Sequence, residues 1–264
     1  MSILEKIDII DSSEYKKSYP FPYTFVDNIL EEDIAKRLQE EILTLEEKYW
    51  DRYENPFEKK YTLRDKNNFP KNTKLLFEHL SSEIFIEKLS NIVGEKLHND
   101  NTKNWWGIHK YKNGDKLDIH SDAGIHPITG DKKHVTLGIY LSKNWQEENG
   151  GHLEIWEGDD IQEPNATLTK KIKSILPIFN RLILFNNTNN AWHGNPEPVS
   201  CDSNSTRIFL TISYLSKNLK DKYNNKYKKA YFIKRPSEPK DTEKDRLRLL
   251  RADSISCKEV YKYE

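Results

Sequence analysis

His120 and Asp122 stand two apart in the run Asp118-Ile119-His120-Ser121-Asp122. On an extended strand, side chains at i and i+2 leave the same face, so an imidazole and a carboxylate project side by side. That pair is two-thirds of a 2-His-1-carboxylate facial triad, the ligand set that suits Fe(II) and leaves coordination positions open. A His-x-Asp triplet alone is a weak signal, since a solvated turn produces it as readily. Its weight comes from the surrounding stretch, Lys110 to Trp156, and from two residues further on.

A third ligand has to come from a distant strand. His126 lies in a Gly/Pro loop just after Asp122 and is placed to touch a substrate. His134 and His152 begin strands and read as solvent-facing. His79 and His98 read as ordinary helix or surface histidines. His193 follows the apolar strand Leu182 to Phe185 and a polar turn, precedes Gly194, and lies 14 residues before Arg207. It is the best partner for His120 and Asp122. Arg207 opens the run Arg-Ile-Phe-Leu-Thr-Ile-Ser-Tyr. Alternation puts Arg207, Phe209, Thr211 and Ser213 on one face, and Ile208, Leu210, Ile212 and Tyr214 on the other. A guanidinium among strand residues is costly without an anion, and a carboxylate gripped by two N–H groups is its natural partner. That carboxylate belongs either to a protein Asp or Glu or to a dicarboxylate cosubstrate.

The elements that must position these residues are mostly short strands. Trp105 to Tyr111, Lys116 to His120, His134 to Leu141, His152 to Glu157, Ile172 to Ile178, Leu182 to Phe185 and Arg207 to Leu215 are separated by turn signals such as Asn113-Gly114 and Gly150-Gly151. This spacing argues for a sandwich or jelly roll, mainly β with α. Before them, Phe21 to Val26 reads as a strand. Ile34, Leu38, Ile42 and Leu45 then mark a helix with acids in its first turn. Tyr49 to Asn72 is polar and proline-broken and is expected to form loops, as a surface connection or a lid. Asn72 or Thr73 is expected to cap a second helix, and Ser81 or Ser82 a third that stops at Gly94. A short charged helix is expected around Lys244 to Leu250.

The 264 residues suit one large domain or two small ones. Charged residues reach 32% and mean hydropathy is −0.86, but 11% aromatic content argues against disorder. A net charge of zero gives no global pull toward nucleic acid or an anionic membrane. Cys201 and Cys257 lack metal-site spacing and imply no disulfide scaffold. The charged start is not a signal peptide, and the apolar runs are too short to span a bilayer. The expectation is a cytoplasmic protein with no membrane partner. From Lys217 to Arg235 the chain is basic with interleaved tyrosines. That run is expected to be a solvated face packed on the barrel, and it leaves an RNA-contacting arm open.

Tyr111-x-x-Gly114, His120-x-Asp122, Ile139-Tyr140-Leu141-Ser142-x-x-Trp145, Asn149-Gly150-Gly151-x-Leu153, Phe179-Asn180-Arg181-Leu182-x-Leu184-Phe185, His193 and Arg207 occur in this order. The set resembles the 2-oxoglutarate- and Fe(II)-dependent dioxygenases, in their prolyl-hydroxylase-like branch, over roughly residues 20–216. The resemblance implies a double-stranded β-helix, a distorted jelly roll with N-terminal helices packed on one sheet. Outside that span the chain is read as an N-terminal extension at 1–19 and a basic polar C-terminal extension at 217–264 packed on or near the barrel. His120, Asp122 and His193 match the iron ligands. Arg207 matches the residue that pairs with the distal carboxylate of 2-oxoglutarate, and Tyr140 and Tyr111 match tyrosines of the cosubstrate pocket. The implied reaction is hydroxylation of a substrate C–H bond with dioxygen, coupled to decarboxylation of 2-oxoglutarate to succinate and carbon dioxide; ascorbate can serve as reductant. A prolyl residue of a protein or peptide is the leading substrate. The alternatives are a small metabolite or sugar, or a non-catalytic jelly-roll binding module. Two segments depart from compact members, Asp122 to Val135 and the His193–Arg207 spacer. Both are longer and lie near the expected mouth of the site.

Overall fold

The computed structural model describes residues 3–122, 124–126, 128–163, 165–217, 230–252 and 256–263. Among them, runs of β-branched and aromatic residues cut by Gly, Asn and Pro form thirteen strands of one antiparallel sheet. The strands are β1 Tyr23–Asp27, β2 Asp51–Glu54, β3 Glu58–Leu63, β4 Leu97–His98, β5 Gly107–Tyr111, β6 Lys116–Ser121, β7 Lys132–Tyr140, β8 Leu153–Gly158, β9 Leu168–Ile175, β10 Arg181–Asn186, β11 Trp192–Asn195, β12 Arg207–Ser216 and β13 Tyr231–Phe232. The helices are α1 Ile3–Lys6, α2 Ser12–Lys17, α3 Glu32–Leu43, α4 Lys71–Leu80, α5 Glu83–Val93 and α6 Thr242–Ala252.

The sheet runs β1-β10-β7-β12-β5-β3-β6-β11-β8-β9, with β13 added to β6, β2 to β3 and β4 to β12. It curls so that the leaf around β7 and β12 faces the leaf around β6 and β11. Strand β3 joins the two leaves: Tyr61 pairs with Lys110 of β5, and Glu58 pairs with Leu117 of β6. Alternation along β12 then has a physical reading. Ile208, Leu210, Ile212 and Tyr214 pack outward with Leu38, Ile42, Phe77, Leu80, Phe85 and Leu89 of α3, α4 and α5. Each fully buried aliphatic side chain there contributes about 1.5–3 kcal/mol. Arg207, Phe209, Thr211 and Ser213 face the opposite way, into the space between the leaves.

Three expectations need correction. Tyr49 to Asn72 is not all loop, because it holds the β2–β3 hairpin with Arg52 opposite Tyr61. Its apolar signal is weak because one face is covered by stacked cations: Arg52 lies 4.6 Å over Tyr61 and Lys60 lies 5.6 Å over Tyr53. Neither Asn72 nor Thr73 caps the second helix. That helix starts at Lys71, and the Glu41 carboxylate accepts from the Asn72 and Thr73 backbone N–H groups instead. Ser82 does cap α5, accepting from the Phe85 N–H, and Gly94 closes it at φ +79°. The charged helix at the end runs longer than expected, over Thr242–Ala252.

Most of the basic, tyrosine-bearing run, 218–229, lies outside the described residues. Beyond it, Tyr231 and Phe232 pair with Ser121 and His120, so part of the C-terminal region adds a strand beside β6. Among the described residues, no helix is long and apolar enough to cross a membrane.

Candidate active site

Strands β6 and β11 are direct neighbours, with His193 opposite His120. The two rings lie 4.5 Å apart, and Asp122 follows the end of β6. The strands approach closely because residue 194 is glycine: a Cβ there would sit 2.7 Å from the Asp118 carbonyl and 2.8 Å from that of Leu117. The candidate ligand atoms of His120, Asp122 and His193 all lie within 4.8 Å of one another.

Each imidazole is oriented by the backbone. His120 Nδ1 lies 2.9 Å from the Asp118 carbonyl, and His193 Nδ1 lies 2.8 Å from the Ala191 carbonyl. A carbonyl only accepts, so Nδ1 carries the proton and Nε2 keeps its lone pair. His193 is pushed down to about 3, chiefly by burial and then by the neighbouring His120, so it stays neutral. Burial alone would raise the Asp122 carboxyl. The Lys133 ammonium, the largest opposing influence, overcomes this and holds it well below the usual range. Lys133 Nζ donates to Asp122 Oδ2 at 2.8 Å, leaving Oδ1 facing His120 Nε2 at 3.5 Å. Two bare Nε2 atoms and an ionised carboxylate form an N/O donor set that suits Fe(II).

Arg207 is 1% exposed. Its Nε donates to the Gly151 carbonyl at 2.8 Å, and its guanidinium lies 4.6 Å over Tyr111 and 5.1 Å over Tyr140. Gly151 holds φ +63°, and a Cβ there would meet Arg207 Cδ at 3.0 Å, so the second glycine serves both the turn and the arginine. Among the described residues no carboxylate pairs with Arg207, and its Nη1 and the Tyr140 hydroxyl are buried without hydrogen-bond partners. Burial pushes the Tyr140 phenol up to about 12, so it remains a donor. Arg207, Tyr111, Tyr140 and the His120–Asp122–His193 cluster line one cavity of about 650 Å³. A buried cation with an unused N–H, in the same cavity as three side chains whose donor atoms could hold a metal ion, suits a carboxylate guest.

The other histidines are placed elsewhere. His126 does not line the cavity. It is buried, with Nε2 3.2 Å from Asp100 Oδ1, and its Nδ1 accepts from the Thr129 N–H at 3.1 Å. It ties the loop after Asp122 to the segment before β5, so its expected substrate contact is replaced by a structural one. His134 and His152 do not simply face solvent either: His134 Nδ1 lies 2.9 Å from Ser216 Oγ, and His152 Nε2 lies 3.0 Å from Glu147. Sequence reasoning passed over His109 and Lys133. His109 lines the cavity with Nδ1 3.0 Å from Thr62 Oγ1 and Nε2 3.3 Å from Thr211 Oγ1. Burial first, and then Lys60, keep it well below the ordinary histidine value. Its signal was alternation with Tyr111 on the same strand. Lys133 carried none, because its approach to Asp122 depends on the intervening loop folding back.

The model of the 2OG-Fe(II) oxygenase superfamily matches residues 106–216, the span that carries every one of these groups. The matched span is similar to that superfamily, whose cofactor and cosubstrate are Fe(II) and 2-oxoglutarate. Its 192 residues aligned with mouse prolyl 3-hydroxylase OGFOD1 are 24% identical, covering 72% of this chain and 32% of that protein. The chain thus spans about a third of the length of that curated relative. A Trichoplax adhaerens prolyl hydroxylase, solved in complex with a hypoxia inducible factor peptide fragment, superposes with TM-score 0.59 at 15% identity, over 81% of this chain and 90% of its own. A Pseudomonas putida prolyl-4-hydroxylase gives TM-score 0.57 at 13% identity, over 82% of this chain and all of its own. These likenesses show the fold, the double-stranded β-helix with helices on one leaf.

Proposed function

We propose that this chain is a non-haem iron dioxygenase that hydroxylates a C–H bond of its substrate while converting 2-oxoglutarate to succinate and carbon dioxide. The observation that carries the reading is Arg207, buried with an unpartnered Nη1 in the cavity that holds the triad. When bound, Fe(II) with 2-oxoglutarate and dioxygen supplies the oxidation. The protein's part follows from its own atoms. His120 and His193 offer Nε2 lone pairs fixed by their Nδ1–H bonds, and Asp122 offers an oxygen whose partner atom is held by Lys133. Arg207 grips the distal carboxylate of 2-oxoglutarate, and Tyr140 donates its hydroxyl to the same end. Tyr111 walls that end, while Phe185 and Phe209 line the cavity with apolar surface that excludes water.

The substrate proposed is a prolyl residue of a protein or peptide. The prolyl 3-hydroxylase relative supports it. The test is incubation with Fe(II), ascorbate, 2-oxoglutarate and a proline-containing peptide library. The expected result is a 16 Da gain on proline matched by succinate. Succinate without any peptide product would remove the prolyl substrate and leave the oxygenase chemistry in place.

A further inference from the structure

We propose that Asn195 is a further cosubstrate-binding residue, donating its amide N–H to the distal carboxylate of 2-oxoglutarate beside Arg207. The proposal rests on the function given above. Asn195 is 3% exposed, lines the cavity, and its Nδ2 is buried without a hydrogen-bond partner. A buried amide donor left unused is costly, and in native structures such groups point to a missing acceptor.

Strand register says which part of the cavity Asn195 serves. It lies two residues beyond His193 on β11, and although the pairing with β6 shifts register between them, both side chains line the cavity. His193 stands opposite Ile155 and Gly194 opposite Glu154. Moving from His193 to Asn195 therefore runs back along β8 toward Gly151, whose carbonyl anchors Arg207 Nε. Asn195 thus sits on the Arg207 side of the triad. Four cavity-lining residues carry a buried, partnerless polar atom among those described: Trp106, Tyr140, Asn195 and Arg207. The Trp106 ring is stacked on Phe77 at 5.1 Å, in the helix-facing core. The other three are donors at the arginine end. A carboxylate presents about four acceptor sites, enough for all three. Because that guest only accepts, it selects the amide orientation with nitrogen inward.

The test is calorimetric titration of 2-oxoglutarate into the Mn(II)-loaded protein, beside 2-oxobutyrate, which lacks the distal carboxylate. Asn195→Leu is expected to weaken 2-oxoglutarate roughly 10- to 100-fold, the range of one charge-assisted hydrogen bond, and to leave 2-oxobutyrate and Mn(II) binding unchanged. Asn195→Asp is expected to weaken 2-oxoglutarate more, through like charge. Because the two ligands are compared within one protein, a general loosening of the site lowers both affinities and overturns the proposal. Unchanged 2-oxoglutarate affinity overturns it as well. If Asn195→Leu does not fold, Asn195→Ser is read by the same ratio. A wild-type chain that binds Mn(II) but no 2-oxoglutarate would sink the function reading itself, an outcome distinct from failure of Asn195 alone.

Discussion

Arg207 is the residue whose burial most needs a guest. Its aromatic neighbours and the Gly151 carbonyl fix the guanidinium without neutralising it. Charge-assisted hydrogen bonds contribute about 1.5–3 kcal/mol each, so Arg207→Gln should weaken 2-oxoglutarate by about 100-fold. Metal affinity should persist, and Arg207→Lys should rescue only part, since an ammonium is a point charge and not a planar fork. Titration of cosubstrate and of Mn(II) on the same variants checks this; loss of both together would make Arg207 structural. This residue was legible in the sequence because a lone cation in an alternating apolar strand has few explanations. His126 was misread because nearness in sequence to Asp122 stood in for nearness in space. In the fold its ring satisfies Asp100 and two loop amides.

Elements set the distances between these residues, and here glycine and the C-terminal strand matter most. Gly194→Ala would push a methyl into the Asp118 and Leu117 carbonyls and part β11 from β6. His193 would move away from His120, so Mn(II) affinity should fall at least 10-fold, read by the same titration; unchanged affinity would mean the strands give way elsewhere. Phe232 is 2% exposed, stacks on Phe57 at 5.0 Å, and lies 5.3 Å from the His120 ring. Phe232→Ala should cost about 3–5 kcal/mol in denaturant unfolding. Glu58, beside these groups on β3, has a pH signature. Burial would raise its carboxyl, but Lys60 and Arg251 override this and hold it at about 2, against an ordinary 4.5. Its contribution, about 3 kcal/mol, is fully present above pH 4.5 and is lost as pH falls toward 2. Glu58→Gln should therefore flatten the acid limb of stability measured by urea unfolding, while lowering stability at pH 7. Most sheet strands from Gly107 onward were readable from alternation and turn residues, but β11, which carries His193, and β13 were not, being only four and two residues long. The β2–β3 hairpin was not, because its tyrosines are covered by lysine and arginine and so mimic a polar loop.

At the scale of the whole molecule, the two leaves divide the work. One supplies Arg207 and Tyr140, the other His120, Asp122 and His193, and β3 with β5 closes the wall between them. The jelly-roll class was visible in strand spacing, whereas the order of the strands was not, since pairing between distant segments depends on packing that no local pattern records. A ligand that bridges both leaves should stabilise the fold. At 100 times its Kd it contributes about 2.7 kcal/mol, a rise in Tm of several degrees for a chain of this size. Mn(II) with 2-oxoglutarate should raise Tm by that amount, EDTA should reverse it, and His193→Ala should show no rise. The most direct test of the central claim is release of carbon dioxide from 2-oxoglutarate labelled at its C1 carboxylate, with Fe(II) and dioxygen present. The wild-type chain should release it and form succinate in equal amount, His120→Ala should release none, and Arg207→Gln should recover activity only at high 2-oxoglutarate. Equal release by wild type and His120→Ala, or no release by a wild-type chain given the peptide library as well, would contradict the account.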